Sequence, residues 1–253
     1  MRHALDELSR YLDVYLRVSE TPDDPRALNG LQVENSGRAD RILGAVDACQ
    51  ASIDAAAERG ATLLLVHHGL FWGGIQPIRG RFASRVRTLI TRDIALYSAH
   101  VPLDCHPEVG NNAVLAQEVG LTDLEPFGSY RGIDIGVSGL FEGTLEELVD
   151  RTADRLGSRP TRVIAKGPSR IARVAVVTGG GSDLLGEARE KGITTFLTGE
   201  GPHHTYFDAE EWGINLIYAG HYATETVGVQ ALGEHLRGRF EIDFEFFDHP
   251  TGL

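Results

Sequence analysis

The stretch Ala61-Thr62-Leu63-Leu64-Leu65-Val66-His67-His68-Gly69 decides how this chain is read. An apolar, β-branched run makes a buried strand, and it delivers two imidazoles to its C-terminal mouth. Successive side chains of a strand point to opposite faces, so neighbouring histidines share one site only where the strand gives way to a turn. Gly69 is read as that turn. The design recurs in Tyr97-Ser98-Ala99-His100 leading to Asp104, and in Tyr218-Ala219-Gly220-His221 leading to Glu225. Three strand ends bearing His and carboxylate groups read as one polynuclear metal site.

An internal repeat organises the rest. Residues 58–69 lie over residues 190–201 without a gap at an offset of 132, and residues 42–47 then fall on 174–179. Residues 96–100 fall on 217–221 at an offset of 121, which superposes Asp104 on Glu225. The first half therefore carries 11 extra residues, the difference of the two offsets, in the Gly/Arg-rich loop from Phe71-Trp72-Gly73-Gly74 to Phe82. Each half reads strand, helix (50–59 and 182–191), strand, loop or helix, strand, and then His-x3-acid. Alternating β and α units predict an α/β fold with largely parallel sheets, built as two similar intertwined lobes from a duplication. The lobes are placed at 1–128, with His67, His68 and Asp104, and at 129–253, with His221 and Glu225, in a single compact unit. Residues 5–17 read as an amphipathic helix, 23–37 as a loop and 133–140 as a strand. Residues 144–156 read as a helix capped by Thr144 with Glu147 at its third position, and 241–248 as a closing strand.

The polar residues also have plain explanations. Adjacent histidines are common without a metal; Glu225 could be a first-turn acid beside a Thr224 cap; Asp104 could open a turn. The conjunction of two imidazoles, Asp, His and Glu at equivalent strand ends favours metal. Three His and two carboxylates without thiolate suit Zn, Fe, Mn, Co or Ni. Five side chains exceed one catalytic zinc but suit two divalent ions bridged by a carboxylate, which lower the pKa of bound water. His100 and Glu200, the repeat counterparts of His221 and His68, read as supports of the ligands or as general acid/base groups. His203-His204 lies in a loop or at a helix start. Cys105 lacks an activating base. Gly179-Gly180-Gly181-Ser182 resembles a phosphate loop without its lysine. Trp72 and Phe71 belong to the mouth or the core. Arg79, Arg81 and Arg85 are candidates for holding a substrate's phosphates, with solvated surface roles as the alternative.

Composition narrows the class. The formal charge is −12 over 253 residues, and Lys166 and Lys191 are the only lysines among 24 basic residues. That balance disfavours nucleic acid as a partner, which needs clustered positive charge. No apolar run is long enough for a membrane span, and Met1-Arg2-His3-Ala4-Leu5-Asp6-Glu7 has no signal-peptide core. Two cysteines, Cys49 and Cys105, make no disulfide framework. A soluble protein of the reducing cytoplasm is expected.

Asn29-Gly30-Leu31-Gln32-Val33, Val66-His67-His68-Gly69-Leu70-Phe71-Trp72 and His100-Val101-Pro102-Leu103-Asp104 with Gly110-Asn111-Asn112 form a recognisable series. Thr198-Gly199-Glu200 and Gly220-His221-Tyr222-Ala223-Thr224-Glu225 complete it. In these motifs the chain resembles the GTP cyclohydrolase 1 type 2 family, also called Nif-three-like dinuclear metal centre hexameric proteins, in a short form without a middle insertion. The resemblance implies two α/β lobes with a dinuclear metal site in the cleft between them, and a homohexamer built as a trimer of dimers. It implies His67, His68, Asp104, His221 and Glu225 as metal ligands, with His100 beside them. It also implies a metal-dependent hydrolase acting on a small nucleotide-like substrate. The alternatives are a non-enzymatic hexamer for metal handling or protein interaction, and a DNA-repair-linked ring, which the negative charge disfavours.

Overall fold

A computed structural model describes residues 3–72, 74 and 76–253. Met1, Arg2 and Gly73 of the segments quoted above lie outside the described residues. The chain runs α1 (Leu5–Tyr15), β1 (Gly30–Val33), β2 (Arg41–Asp47), α2 (Gln50–Glu58), β3 (Leu63–His68), α3 (Gly80–Thr91), β4 (Ala95–Ser98), α4 (Val101–Asp104) and α5 (Asn111–Glu118). It continues through β5 (Thr122–Tyr130), β6 (Ile133–Thr144), α6 (Leu145–Leu156), β7 (Arg162–Ile164), β8 (Arg170–Val177), a 3-10 turn (Gly181–Leu184) and α7 (Leu185–Glu190). It closes with β9 (Thr195–Thr198), α8 (Thr205–Trp212), β10 (Asn215–Tyr218), α9 (His221–Phe240) and β11 (Asp243–Phe246). Two compact units result, one of residues 1–109 and 228–249, the other of 110–227 and 250–253.

The first unit holds a five-stranded sheet in the order β1-β4-β3-β2-β11. Its strands β11, β2, β3 and β4 run parallel, and β1 pairs antiparallel with β4. Both faces are covered, which is why Leu63 to Val66 read as a continuous apolar run rather than an alternating one. Leu63 and Leu65 pack with Leu5, Leu8 and Leu12 of α1 and with Leu232 and Leu236 of α9. Leu64 and Val66 pack on the other face with Ile53 and Ala56 of α2 and Leu89 of α3.

The second unit holds a six-stranded sheet in the order β5-β6-β8-β9-β10-β7. Here the expectation of a largely parallel sheet is corrected: only β8, β9 and β10 run parallel, while β5, β6 and β7 pair antiparallel. The parallel trio repeats the first unit at the level of register. Ile42 faces Leu63 and, 132 residues on, Val174 faces Thr195. Ile53 and Ala56 become Leu185 and Ala188 in the equivalent core. The third strand departs from the sequence match by one residue. Val66 faces Ser98 and Thr198 faces Tyr218, an offset of 120 rather than 121. The residue is recovered between strand and histidine, where Ala219-Gly220 replaces the single Ala99.

Other local readings are revised. The loop at 23–37 contains β1, and the extra length of the first half ends in α3 from Gly80 rather than in loop to Phe82. The helix expected at 182–191 opens as a 3-10 turn. Gly69 is not a positive-φ turn; a Cβ there would sit 2.2 Å from the Gln32 amide, so the glycine admits that side chain. The capping box of α6 forms as expected: Thr144 Oγ1 accepts the Glu147 amide at 3.2 Å and Glu147 Oε2 accepts the Thr144 amide at 2.7 Å.

Candidate metal centre

In the first unit β3 extends through both histidines, and the two rings still lie 4.7 Å apart because each leans toward a different neighbouring strand. His67, fully buried, donates from Nδ1 to the Ala99 carbonyl beyond β4 at 2.9 Å. A carbonyl only accepts, so the proton is on Nδ1 and the Nε2 lone pair faces the other way. His68 leans toward β2 and donates from Nδ1 to Asp47 Oδ1 at 2.9 Å. His100 donates from Nδ1 to Asp23 Oδ1 at 2.8 Å. The ligand atoms of His67, His68 and His100 lie within 4.8 Å of one another. Asp104, at the end of α4, sets Oδ1 3.6 Å from His67 Nε2. The Trp72 ring stands edge-on to His100 at 4.9 Å and to His68 at 6.0 Å, so Trp72 walls this cluster. Phe71 instead joins the core beside Phe82.

Asp23 is built in from several sides. Asn29 Nδ2 donates to its Oδ2 at 2.8 Å, and Asn29 Oδ1 in turn accepts the His100 amide at 2.7 Å. Burial alone would raise the Asp23 carboxyl, but the His100 hydrogen bond and charge, with Asn29 behind them, hold it below the usual carboxylate value.

In the second unit His221 and Glu225 share one face of α9, one turn apart, with Nε2 and Oε1 separated by 3.1 Å. His221 Nδ1 donates to Glu200 Oε1 at 2.8 Å. The Glu225 hydrogen bond, against the cost of burial and with help from Glu200, raises the His221 imidazole to about 9. Glu225 is 4% exposed, too enclosed for a solvated first-turn acid. Thr224 does not cap the helix; its hydroxyl bonds back to the Gly220 carbonyl at 2.9 Å and accepts the Gly179 amide at 3.0 Å. That draws the glycine loop after β8 onto the pair. Gly179 has φ +62°, and a Cβ on it would lie 2.2 Å from Glu225 Oε1. Its carbonyl accepts the Gly199 and Glu200 amides at 3.0 Å each, which fixes the base of Glu200.

The donor set suits a metal. In all four histidines Nδ1 is committed to a carbonyl or carboxylate, the arrangement that orients Nε2 as a ligand. Every expected site residue thus has a defined place: His67, His68, His100 and Asp104 by the first sheet, His221, Glu225 and Glu200 by the second. Sequence reading missed Asp23, Asn29 and Asp47. Asp47 carried a signal, since it ends the strand beside β3 and is the register partner of His68. Asp23 had none, lying 77 residues from its histidine.

Other candidates fall away from these clusters. Cys105 is pushed up to about 11 by burial and the Asp104 charge, the opposite of an activated thiol. Arg79 precedes α3, while Arg81 and Arg85 lie on it, and none makes an ion pair among the described residues. His203 and His204 sit at the turn into α8. No helix among the described residues is long and apolar enough to cross a membrane.

A mixed α/β chain with strand-end histidines supported in this way defines a class that comparison identifies. The chain belongs to the Duf34/NIF3 (NGG1p interacting factor 3) family, whose model matches residues 4–251. A Deinococcus radiodurans relative named GTP cyclohydrolase 1 type 2 homolog is 47% identical, covering 98% of this chain and 94% of that one. One of the same name from Pyrococcus abyssi is 44% identical over 98% and 99%. A crystal structure from Thermus thermophilus superposes with a TM-score of 0.90 at 44% identity, covering 99% of this chain and all of that one. The reduced HcgD protein of Methanocaldococcus jannaschii superposes with a TM-score of 0.87 at 26% identity, over 98% and 99%.

Proposed function

We propose that this chain binds two divalent metal ions through His67, His68, Asp104, His221 and Glu225 and is a metal-dependent hydrolase of a small nucleotide-like substrate. The carrying observation is the commitment of Nδ1 in each histidine, which turns Nε2 toward the cluster as the ligand atom; in His221 that Nε2 is bonded to Glu225 Oε1 through a proton that metal binding would displace. Two such ions, when bound, lower the pKa of a coordinated water and stabilise an oxyanion. Around them the protein's own groups position and buffer. Asp23 holds the His100 ring with its Nε2 toward the cluster, ready to exchange a proton with substrate. Asp47 and Glu200 keep His68 and His221 in the ligating tautomer. Trp72 shields His68 and His100 from solvent. The name carried by the relatives supports a guanine nucleotide as the first substrate to try.

Elemental analysis of protein purified without chelator should find about two metals per chain, with near-complete loss in a His67→Ala, Glu225→Ala double variant. One metal or none in the unaltered protein overturns the dinuclear reading. Release of formate from GTP, abolished by chelation and restored by Zn, Fe, Mn, Co or Ni, supports the hydrolase. Full metal loading with no turnover of nucleotides or pterins moves the assignment to a non-enzymatic metal-binding protein. The family resemblance also supports a homohexamer, for which light scattering should give about six times 27.5 kDa.

A further inference from the structure

A hollow of the second unit lies at the C-terminal ends of β9 and β10, where α/β sheets gather ligands. It encloses about 410 Å³, within the range of small-molecule sites. Its floor is Tyr218; its walls are Arg162, the Glu200–His203 loop, and Tyr206 and Phe207 of α8. The loop is pulled tight against the floor because Gly201 leaves no room for a side chain: a Cβ would lie 2.4 Å from the Tyr218 hydroxyl.

Three features specify an occupant. Phe207 is 49% exposed, with the His203 and Tyr206 rings each edge-on to it at 5.5 Å, so the wall presents aromatic surface to a planar ring. Arg162 lies over the Tyr206 ring and has no carboxylate partner among the described residues, whereas neighbouring Lys166 is paired with Glu210. Glu200 spends Oε1 on His221 Nδ1, and its Oε2 takes no hydrogen bond among the described residues. A carboxylate is acceptor-only, so it asks for N–H donors on a ring edge. One guanidinium and one carboxylate on the lining also limit the ligand's charge, because a triphosphate would crowd several negative charges beside Glu200.

We propose that this hollow is a binding site for a planar heteroaromatic ring that carries one anionic group and an amino–oxo edge with adjacent N–H donors, as in guanine or pterin. The edge donates to Glu200, the ring lies against Phe207 and Tyr206, and the single anionic group pairs with Arg162. This deepens the metal-centre reading and rests on it only in placing the ring one hydrogen bond away from His221.

Calorimetric titration of the purified chain, metal-loaded and chelator-treated, with GMP, 6-carboxypterin, GTP and AMP tests the site. In the chelator-treated protein GMP or 6-carboxypterin should bind more tightly than GTP, and AMP, whose ring edge sets an acceptor against Glu200, should bind weakest. Whichever of GMP and 6-carboxypterin binds more tightly names the source of the ring. Arg162→Ala and Phe207→Ala, both at exposed positions, should each weaken that probe by about tenfold or more while metal content and melting temperature stay as in the unaltered chain. Binding unchanged in both variants, or no binding with or without metal, overturns the site. Arg162-dependent binding in a chain that holds no metal keeps this site and removes the metal centre; two metals with variant-insensitive binding does the reverse.

Discussion

Asp47 and His68 face each other as register partners on parallel strands β2 and β3, and the imidazole Nδ1 donates to the carboxylate at 2.9 Å. The sheet ladder itself thus sets the orientation of the His68 ring.

Because Asp47 acts only through His68 and is 42% exposed, Asp47→Ala should leave the fold intact and weaken metal binding by about 10–100-fold. Asp47→Asn, which retains an acceptor oxygen, should lose less. Chelator competition reads both, and an affinity unchanged in the alanine variant would show that His68 needs no support.

Gly179→Ala should cost ~1–3 kcal/mol, because its φ of +62° is strained for alanine and the new Cβ would displace Glu225. Gly157→Ala is the control: φ is +68°, but nothing lies within 4 Å, so only the ~1 kcal/mol of backbone strain applies. Denaturant midpoints measure the difference, and metal content should fall in the first variant alone.

His106 is locked neutral. Its Nε2 donates to the Tyr15 carbonyl at 3.0 Å, while Nδ1 accepts the Glu108 and Val109 amides at 3.2 Å each. Burial, opposed by the Tyr15 bond, holds its pKa below the ordinary histidine value. The unfolded chain then binds a proton near pH 6.5 that the folded chain refuses, so this group's contribution falls as pH drops below about 6.5 and levels off below the folded pKa. His106→Gln should be less stable at pH 7.5, yet lose less on going to pH 5.5 than the unaltered chain. Parallel urea midpoints would refute the lock.

Thr144→Ala should cost about 0.5–2 kcal/mol through loss of the Glu147 amide bond, with no effect on metal content.

Much of this was legible because the polar strand ends and the core follow the same repeat. Ile53 and Leu185, or Ala56 and Ala188, could be paired from the offset alone. The third strand misled because tyrosine matched tyrosine. A one-residue slip exchanges the faces of a strand, and Tyr97 packs in the α1 core with its hydroxyl on Asp13, whereas Tyr218 packs under α8. The strands at β1, β5 and β7 escaped because they are edges: β7 has three residues, β5 carries Pro126 and is largely exposed, and β1 is only half buried. Supporting carboxylates such as Asp23 are chosen by proximity in the fold, which leaves no spacing to read.

At the 132-residue offset Gly179 falls on Asp47 and Glu200 falls on His68. Where the first half sets an acid and then an imidazole, the second sets a bare backbone and then an acid. After the ancestral segment was copied, the two descendants kept one scaffold and parted in chemistry. Each strand mouth is therefore its own unit of inheritance, and relatives should be aligned first half with first half: scored against its twin, Glu200 would count as a lost histidine when it is the group that holds His221 in place.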